Sequence, residues 1–500
     1  MGTRMLSVGE KEGCADTYIF CSRRPFRMQS LLRLRVTERK LLLYLMDLLI
    51  INAALIVALV LRSNFTLRLA TILETAKWFI TLSIIWLLTA TFYDCYDLAR
   101  AASTSHSLRN CSLAVLSASL VYTLTPFVTP ALQSRSLLFI FGMVALLGIC
   151  LWRGLYAQLF VQPRFEQRAL VIGAGERGQA LVEMLKATSN DANPFRGTGY
   201  RIVGFVDDRV TKSGTEIEQI PVMRGVRNLA SMVQSLDVDE LILASGERDV
   251  LNREGFDSLL RCRELGLRIV TLPALYERLL ARIPVDYVGS EDLPTVIPMR
   301  EGAGDRLYRF AKRGIDIISA LVGLLVVGLL TPVIALANLI TSPGPLFYRQ
   351  ERVGQGGVIF NIIKFRTMVP NAEEITGAVW ANERDDRITW MGRILRPTRL
   401  DELPQFINIL KGEMSLIGPR PERPEIIEDL TQLLPFYRAR HAVRPGITGW
   451  AQVEYRYGNC VEDAKTKLEY DLYYVKHTGP LLDLRIILQT IPIMLRGAGI

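Results

Sequence analysis

The chain has 500 residues, enough for roughly three structural units at about 150 residues each. Half of the residues are hydrophobic and 22% are charged, which excludes both a disordered chain and a transporter buried throughout in lipid. Lys and Arg outnumber Asp and Glu by 59 to 50, an excess that suits anionic lipid headgroups and cytoplasmic loops rather than nucleic acid. The seven cysteines are an odd, scattered set without a C-x-x-C pair, which argues against a disulfide framework or a Cys-built zinc site. Three histidines, His106, His441 and His477, stand far apart, so any metal here is a hard ion held by oxygen.

Residues 1–38 are rich in arginine and lack a small-residue cleavage site after a short apolar run. They read as a basic cytoplasmic tail, not a cleaved signal peptide. Residues 39–160 hold four apolar stretches, Leu41–Leu61, Trp78–Tyr93, Ser112–Leu132 and Leu137–Tyr156. Each approaches the ~20 residues a helix needs to cross the hydrocarbon. Four crossings return the chain to its starting side, and Arg153 near the end of the fourth with Arg164 and Arg168 after it place that side in the cytoplasm. Asp47 inside the first stretch is read as a structural pairing or interfacial residue before a functional one.

Residues 161–280 alternate strand and helix, the pattern of a Rossmann-like, doubly wound α/β domain. A short apolar strand runs into Gly173-Ala-Gly175-Glu-Arg-Gly178 and then into an amphipathic helix. Such a G-x-G-x-x-G turn aims backbone N–H groups at a phosphate. The acidic pair Asp207 and Asp208 follows Gly173 by 34 residues, where a dinucleotide site has its acid about 20 on. A loop insertion over Asn190–Tyr200 accounts for the difference. The same glycines also serve close helix–strand packing, so a nucleotide site and a purely structural or regulatory module both stand.

After a linker over 281–305, residues 306–500 open on a fifth apolar run, Ile315–Ile340. Basic residues flank both of its ends, and a single crossing puts one cluster on the wrong side of the membrane. Thr331-Pro332 lies late in the run, where proline removes a helical hydrogen bond. The expectation is a re-entrant helix that enters, breaks and returns on one face; an ordinary fifth span is the alternative. Beyond it, cations beside Gly and Pro turns suit phosphate oxygens. Adjacent carboxylates, Asp401 and Glu402, can divide labour: one holds Mg²⁺, the other attacks or takes a proton. Taken singly, each feature has an ordinary reading, a solvated helix start for Asp401-Glu402 and an ion pair for Arg313 with Asp316.

The runs from Lys312 to Trp450, above all Leu400-Asp-Glu-Leu-Pro-Gln405 and Met414-Ser-Leu-Ile-Gly-Pro-Arg-Pro421, resemble the bacterial sugar transferase family, the monotopic polyprenyl-phosphate phosphoglycosyl transferases. With four N-terminal spans and an α/β module the chain is similar to the large members, which initiate exopolysaccharide and O-antigen synthesis. The resemblance implies a membrane protein of three parts: a four-helix transmembrane bundle, a Rossmann-like (CoA-binding-like) domain, and a mainly helical catalytic domain with a re-entrant helix. It implies transfer of a sugar-1-phosphate from a UDP-sugar to undecaprenyl phosphate, with UMP leaving, at the cytoplasmic face of the bacterial inner membrane.

By motif, Asp401 is then the nucleophile that forms a covalent phosphosugar intermediate, and Glu402 helps hold Mg²⁺. Lys364, Arg366, Arg396, Arg420 and Arg444 become candidates for phosphate or nucleotide contacts. Arg313 and Asp316 match the family's pair at the start of the re-entrant helix. Thr331-Pro332 stands where the family often has Ser-Pro, and the Thr331 hydroxyl is expected to bond the carbonyl that proline frees. The closing helix, Leu481–Arg496, is expected along the membrane interface. Homodimer formation through the membrane or α/β parts is implied by resemblance alone, and no residue selects the sugar. The rival reading is a membrane-bound nucleotide-sugar dehydratase or epimerase, whose Y-x-x-x-K signature has one match, Tyr308–Lys312. The rival needs a second glycine fingerprint after residue 280, none precedes that match there, and the fifth apolar run follows it at once.

Overall fold

The computed structural model describes residues 36–63, 68–125, 128–130, 135–159, 166–187, 199–208, 216–244, 253–288, 303–369, 387–455 and 460–495. The basic tail, the 190–198 part of the expected insertion and most of the 281–305 linker lie outside them.

Four helices, α1 (Val36–Ser63), α2 (Ala76–Phe92), α3 (Thr104–Leu124) and α4 (Arg135–Leu159), pack around one apolar core that includes Leu43, Trp86, Ala114 and Ile149. Among the described residues, segments of α1 and α4 are long and apolar enough to cross a membrane, whereas α2 is apolar but shorter. The third helix corrects the expected window. It begins at Thr104, with the polar turns Thr-Ser-His-Ser-Leu-Arg-Asn, and stops at Leu124 rather than Leu132, because Pro126 disfavours helix in the residue before it. Arg153 is corrected too. It is no cytoplasmic flank but fully buried, 2.5 Å from Asp47 and 2.8 Å from the Cys95 carbonyl. The ion pair ties α1 to α4 and explains the charge inside the first apolar stretch.

The middle domain is a six-stranded sheet in the order β3-β4-β2-β1-β5-β6. Its strands are β1 (Gln167–Ile172), β2 (Tyr200–Val206), β3 (Glu216–Ile217), β4 (Ile220–Met223), β5 (Glu240–Leu243) and β6 (Arg268–Thr271). All neighbours are parallel except β3 with β4, a short hairpin absent from the sequence expectation. Helices α5 (Glu176–Ala187) and α6 (Arg253–Glu264) follow β1 and β5, and α7 (Leu272–Leu280) follows β6. The β1–α5 turn holds Gly173 at φ 106°, a left-handed conformation suited to glycine. A Cβ on Gly178 would meet the Gly173 carbonyl at 2.3 Å, so this glycine lets helix and turn touch. Asp207 accepts a hydrogen bond from Ala174 N at 3.0 Å, and Asp208 accepts from Gly225 N and Val226 N. Both acids of the pair thus bond backbone amides of their own domain.

Helix α8 (Ala303–Thr341) runs through Pro332 with no break in its helical backbone. Pro332 has no N–H to give the Gly328 carbonyl, so one helical hydrogen bond is missing there and the helix can bend at this point. Thr331 Oγ1 bonds the Val327 carbonyl at 2.6 Å, the ordinary i−4 partner, and not the Gly328 carbonyl that Pro332 frees. One stripe of the helix, Asp316, Ala320, Gly323, Val327, Ile334 and Asn338, is buried against the rest of the C-terminal domain. The opposite side exposes apolar residues along its length, among them Ile318, Leu325, Leu329 and Leu336.

The antiparallel hairpin of β7 (Phe347–Val353) and β8 (Ile359–Phe365) lies beside α8. There follow helix α9 (Phe406–Lys411), the parallel pair β9 (Ser415–Ile417) and β10 (Gly446–Thr448), and helices α10 (Val461–His477) and α11 (Pro480–Leu495). The closing helix buries Ile486, exposes Leu481 and Met494, and touches the helical bundle through Gln489 and Asp94 at 3.0 Å.

Candidate active site

Asp401 and Glu402 sit on a 3₁₀ turn, Leu400–Gln405, entered through Arg399 at φ 54° and ψ 19°. Left-handed backbone at a non-glycine residue carries strain of order 1–3 kcal/mol. Both carboxyl side chains are buried, so the solvated-surface reading of the pair does not hold.

The elements around the turn are stapled together. Asn408, fully buried on α9, donates to the Asn361 carbonyl at 2.7 Å and accepts from Ile363 N at 3.2 Å, which fixes α9 to β8. Arg313 donates to the Ile409 and Leu410 carbonyls at the end of α9. Asp316 accepts from Ser415 Oγ and Leu416 N, both at 2.9 Å, at the start of β9. Arg313 and Asp316 thus form no pair with each other. They tie α8 to the two segments that bracket Lys411–Met414, between the dyad and the Gly418-Pro-Arg-Pro421 loop.

Glu402 is the anchored member of the dyad. Its Oε1 lies 2.9 Å from Lys364 Nζ and 2.8 Å from Arg420 Nη2, and Arg399 Nη1 stands 3.7 Å from Oε2. Burial opposes its ionisation, but Arg420, Lys364 and Arg399 outweigh that cost and hold it well below the usual carboxylate range. Asp401 has no ion pair among the described residues. Burial and the neighbouring Glu402 charge push it up to about 6, against the pull of Lys364, Arg420 and Arg396. Adjacent carboxylates driven apart in this way are suited to different tasks.

The structure therefore brings Lys364, Arg396 and Arg420 to the dyad. It does not bring Arg366, which bonds the Ser342 and Pro345 carbonyls, Ser342 Oγ and the Met368 carbonyl. Four hydrogen bonds hold that guanidinium in the turn after α8, so its expected phosphate role is corrected to a structural one. Arg444 is half-buried beside β10 and ion-pairs with neither carboxylate. Arg399 was missed by the sequence reading; only the left-handed turn reveals that it curls back onto Glu402. Tyr308 and Lys312, the Y-x-x-x-K match, both bond Asp483 of α11, each at 2.7 Å. They tie α8 to the closing helix, and no dehydratase chemistry follows from them.

A second family, described as a CoA-binding domain, matches residues 91–246. The bacterial sugar transferase family matches residues 307–497, which take in most of α8, the dyad and α11. A protein named UDP-glucose:undecaprenyl-phosphate glucose-1-phosphate transferase from Xanthomonas campestris pv. campestris is 33% identical over 360 residues, 70% of this chain and 72% of its own length. The chain belongs to the bacterial sugar transferases, the polyprenyl-phosphate phosphoglycosyl transferases. Another relative, from Aeromonas hydrophila, is named UDP-N-acetylgalactosamine-undecaprenyl-phosphate N-acetylgalactosaminephosphotransferase. It is 38% identical over 260 residues, 52% of this chain and 60% of that protein. A UDP-glucose:undecaprenyl-phosphate glucose-1-phosphate transferase from Escherichia coli (strain K12) is 39% identical over 200 residues, 39% of this chain and 42% of that protein. The match to two of these three bacterial sugar transferases thus spans less than two thirds of their length.

Proposed function

We propose that this chain transfers a sugar-1-phosphate from a UDP-sugar to undecaprenyl phosphate, releasing UMP and leaving an undecaprenyl-diphosphate sugar, the initiating step of exopolysaccharide, O-antigen or capsule assembly. The observation that carries the reading is the split dyad: a Glu402 locked by cations beside an Asp401 that has no ion pair among the described residues. An Asp401 oxygen attacks the sugar-bearing phosphorus, and the bond to the bridging oxygen breaks as UMP leaves with that electron pair. A phosphate oxygen of undecaprenyl phosphate then attacks the same phosphorus and frees the carboxylate. Two displacements keep the anionic donor and anionic acceptor from meeting directly. Lys364, Arg396 and Arg420 offset charge on the donor phosphates.

Mg²⁺ fits Glu402 through one oxygen. Oε2 is buried without a hydrogen-bond partner, and Mg²⁺ binds through one or two carboxylates while keeping waters and substrate phosphates. Bound there, the ion supplies charge compensation for the diphosphate.

The helical bundle α1–α4 is read as membrane-spanning and α8 as re-entrant, with the catalytic domain facing the cytoplasm. Support for the latter is the buried stripe from Asp316 to Asn338, against which the C-terminal domain packs along nearly the whole helix. A helix that crosses ~30 Å of hydrocarbon has no room for a polar domain along its side.

Release of UMP from a panel of UDP-sugars, with undecaprenyl phosphate as acceptor and Mg²⁺ present, tests the reading. It also identifies the sugar, on which the relatives' names divide between glucose and N-acetylgalactosamine. No release from any donor sinks it.

A further inference from the structure

Four consecutive carbonyls of the loop that carries Arg420 are each held by a donor. Pro419 O accepts from Gly446 N at 2.9 Å, and Arg420 O from Arg440 Nη2 at 2.9 Å. Pro421 O accepts from Arg352 Nη1 at 3.0 Å, and Glu422 O from Val353 N at 3.0 Å. Of these donors, Arg440 stands directly behind the residue that reaches Glu402.

Arg440 is buried, and so are its partners Asp471, at 2.7 Å, and the Tyr437 hydroxyl, at 2.6 Å. Asp471 belongs to α10, whose neighbouring Leu468 and Leu472 lie in the core. Two residues before Asp471 on α10, Glu469 also grips the middle domain and the linker after it, accepting from the Tyr276 hydroxyl and from Val285 N, both at 3.3 Å. Arg440 is thus braced by a rigid helix and bonded to the backbone of an active-site residue. A buried guanidinium with three partners is costly to place there, since desolvation of an ion pair rarely returns net stability. Its planar fork serves geometry, because it holds Asp471, Tyr437 and the Arg420 carbonyl in one fixed arrangement, whereas the donors of an ammonium rotate.

We infer that Arg440 is a positioning residue for the sugar-phosphate transfer: clamped by Asp471, it fixes the backbone at Arg420 so that the Arg420 guanidinium bears on Glu402. The inference rests on the transferase reading above and adds a residue that touches neither substrate nor dyad. It acts only through Arg420, and that sets its signature.

The test is a double-mutant cycle on the full-length enzyme in lipid nanodiscs, with kcat/KM from UMP release and the melting temperature measured on each variant. Arg440→Lys is expected to lower kcat/KM on the order of 100-fold, the effect of a misplacement of about 1 Å. Arg420→Lys is expected to cause a loss at least as large. The double variant should then be no worse than Arg420→Lys alone, because the second change removes nothing further. Asp471→Asn, isosteric and still able to accept hydrogen bonds, runs through the same cycle in case Arg440→Lys folds poorly. Tyr200→Phe, which removes a buried bond to Glu240 in the middle domain, should lower the melting temperature with no such coupling. Losses that multiply, or an Arg440→Lys enzyme with wild-type kcat/KM, overturn the inference alone. A wild-type enzyme that releases no UMP overturns the functional reading and the inference with it.

Discussion

The Lys364 ammonium stands 2.9 Å from Oε1 of Glu402, on the same oxygen that Arg420 reaches at 2.8 Å. Two cations on one oxygen fix the carboxylate and leave Oε2 without a hydrogen-bond partner. The anchored acid sits next to one that burial has left easy to protonate. Chemistry at the dyad follows from that asymmetry.

Asp401→Asn should remove turnover while leaving the melting temperature close to wild type, because amide and carboxyl have the same shape and no ion pair is lost. Wild-type enzyme given a radiolabelled UDP-sugar without acceptor should retain label on the protein after denaturation, and the Asn variant should retain none. Label on the variant would reassign the nucleophile.

The pH dependence follows from Asp401. A nucleophilic carboxyl must be ionised, and burial together with Glu402 pushes this one up to about 6. Activity should therefore fall as pH drops through about 6, approaching tenfold per unit well below it. Glu402→Gln removes a like charge and leaves Lys364 and Arg420 nearby, so Asp401 should ionise more readily. The acid limb should move to lower pH even as the maximal rate falls; an upward shift would show that Glu402 is not what raises Asp401.

Magnesium dependence isolates the other carboxylate. With Oε2 as the protein oxygen on the ion, Glu402→Gln should raise the Mg²⁺ concentration needed for half-maximal rate, because a neutral amide oxygen is a weaker ligand for a hard cation. A metal titration superimposable on wild type would remove Glu402 from that role.

Much of this architecture was legible in the sequence because it rests on local pattern. The G-x-G-x-x-G turn after an apolar strand gave the α/β domain, and the apolar windows at Leu41 and Leu137 became α1 and α4. What escaped depends on residues far apart in the chain. Arg153 reads as a cytoplasmic flank until Asp47, 106 residues earlier, is seen to bury it. Lys364 and Arg366 look equivalent two positions apart. The first lies on β8, one residue before its end, and reaches Glu402, while the second has left the strand and caps the turn after α8. The Asp401-Glu402 motif and its division of labour were visible, but not what makes the two unequal: the left-handed turn at Arg399 and two cations from other elements. A hydropathy window also runs across a helix end that Pro126 imposes on α3.

Close packing between α8 and α9, the helix that follows the dyad's turn, is testable at one glycine. A Cβ on Gly323 would lie 2.2 Å from the Phe406 ring, and overpacking of this kind costs about 1–3 kcal/mol. Gly323→Ala should lower the melting temperature of the purified protein, and Phe406→Leu in the same chain should recover part of the loss by opening space. A Gly323→Ala protein as stable as wild type would mean that the ring is free to move aside.

Topology provides the remaining test, and it turns on α8. The C-terminal domain touches this helix near its start, through Tyr308 and Asp483, and just past its end, through Ser342 and Arg366. A body in contact with both ends cannot lie on two sides of a bilayer. Single cysteines at Leu307 and Gly344, in a chain freed of its native cysteines, should therefore react with a membrane-impermeant maleimide only after inner-membrane vesicles are turned cytoplasmic side out. If Gly344→Cys is instead labelled from the periplasm of intact spheroplasts, the helix crosses fully. The dyad would then lie on the side of the membrane where no UDP-sugar is made.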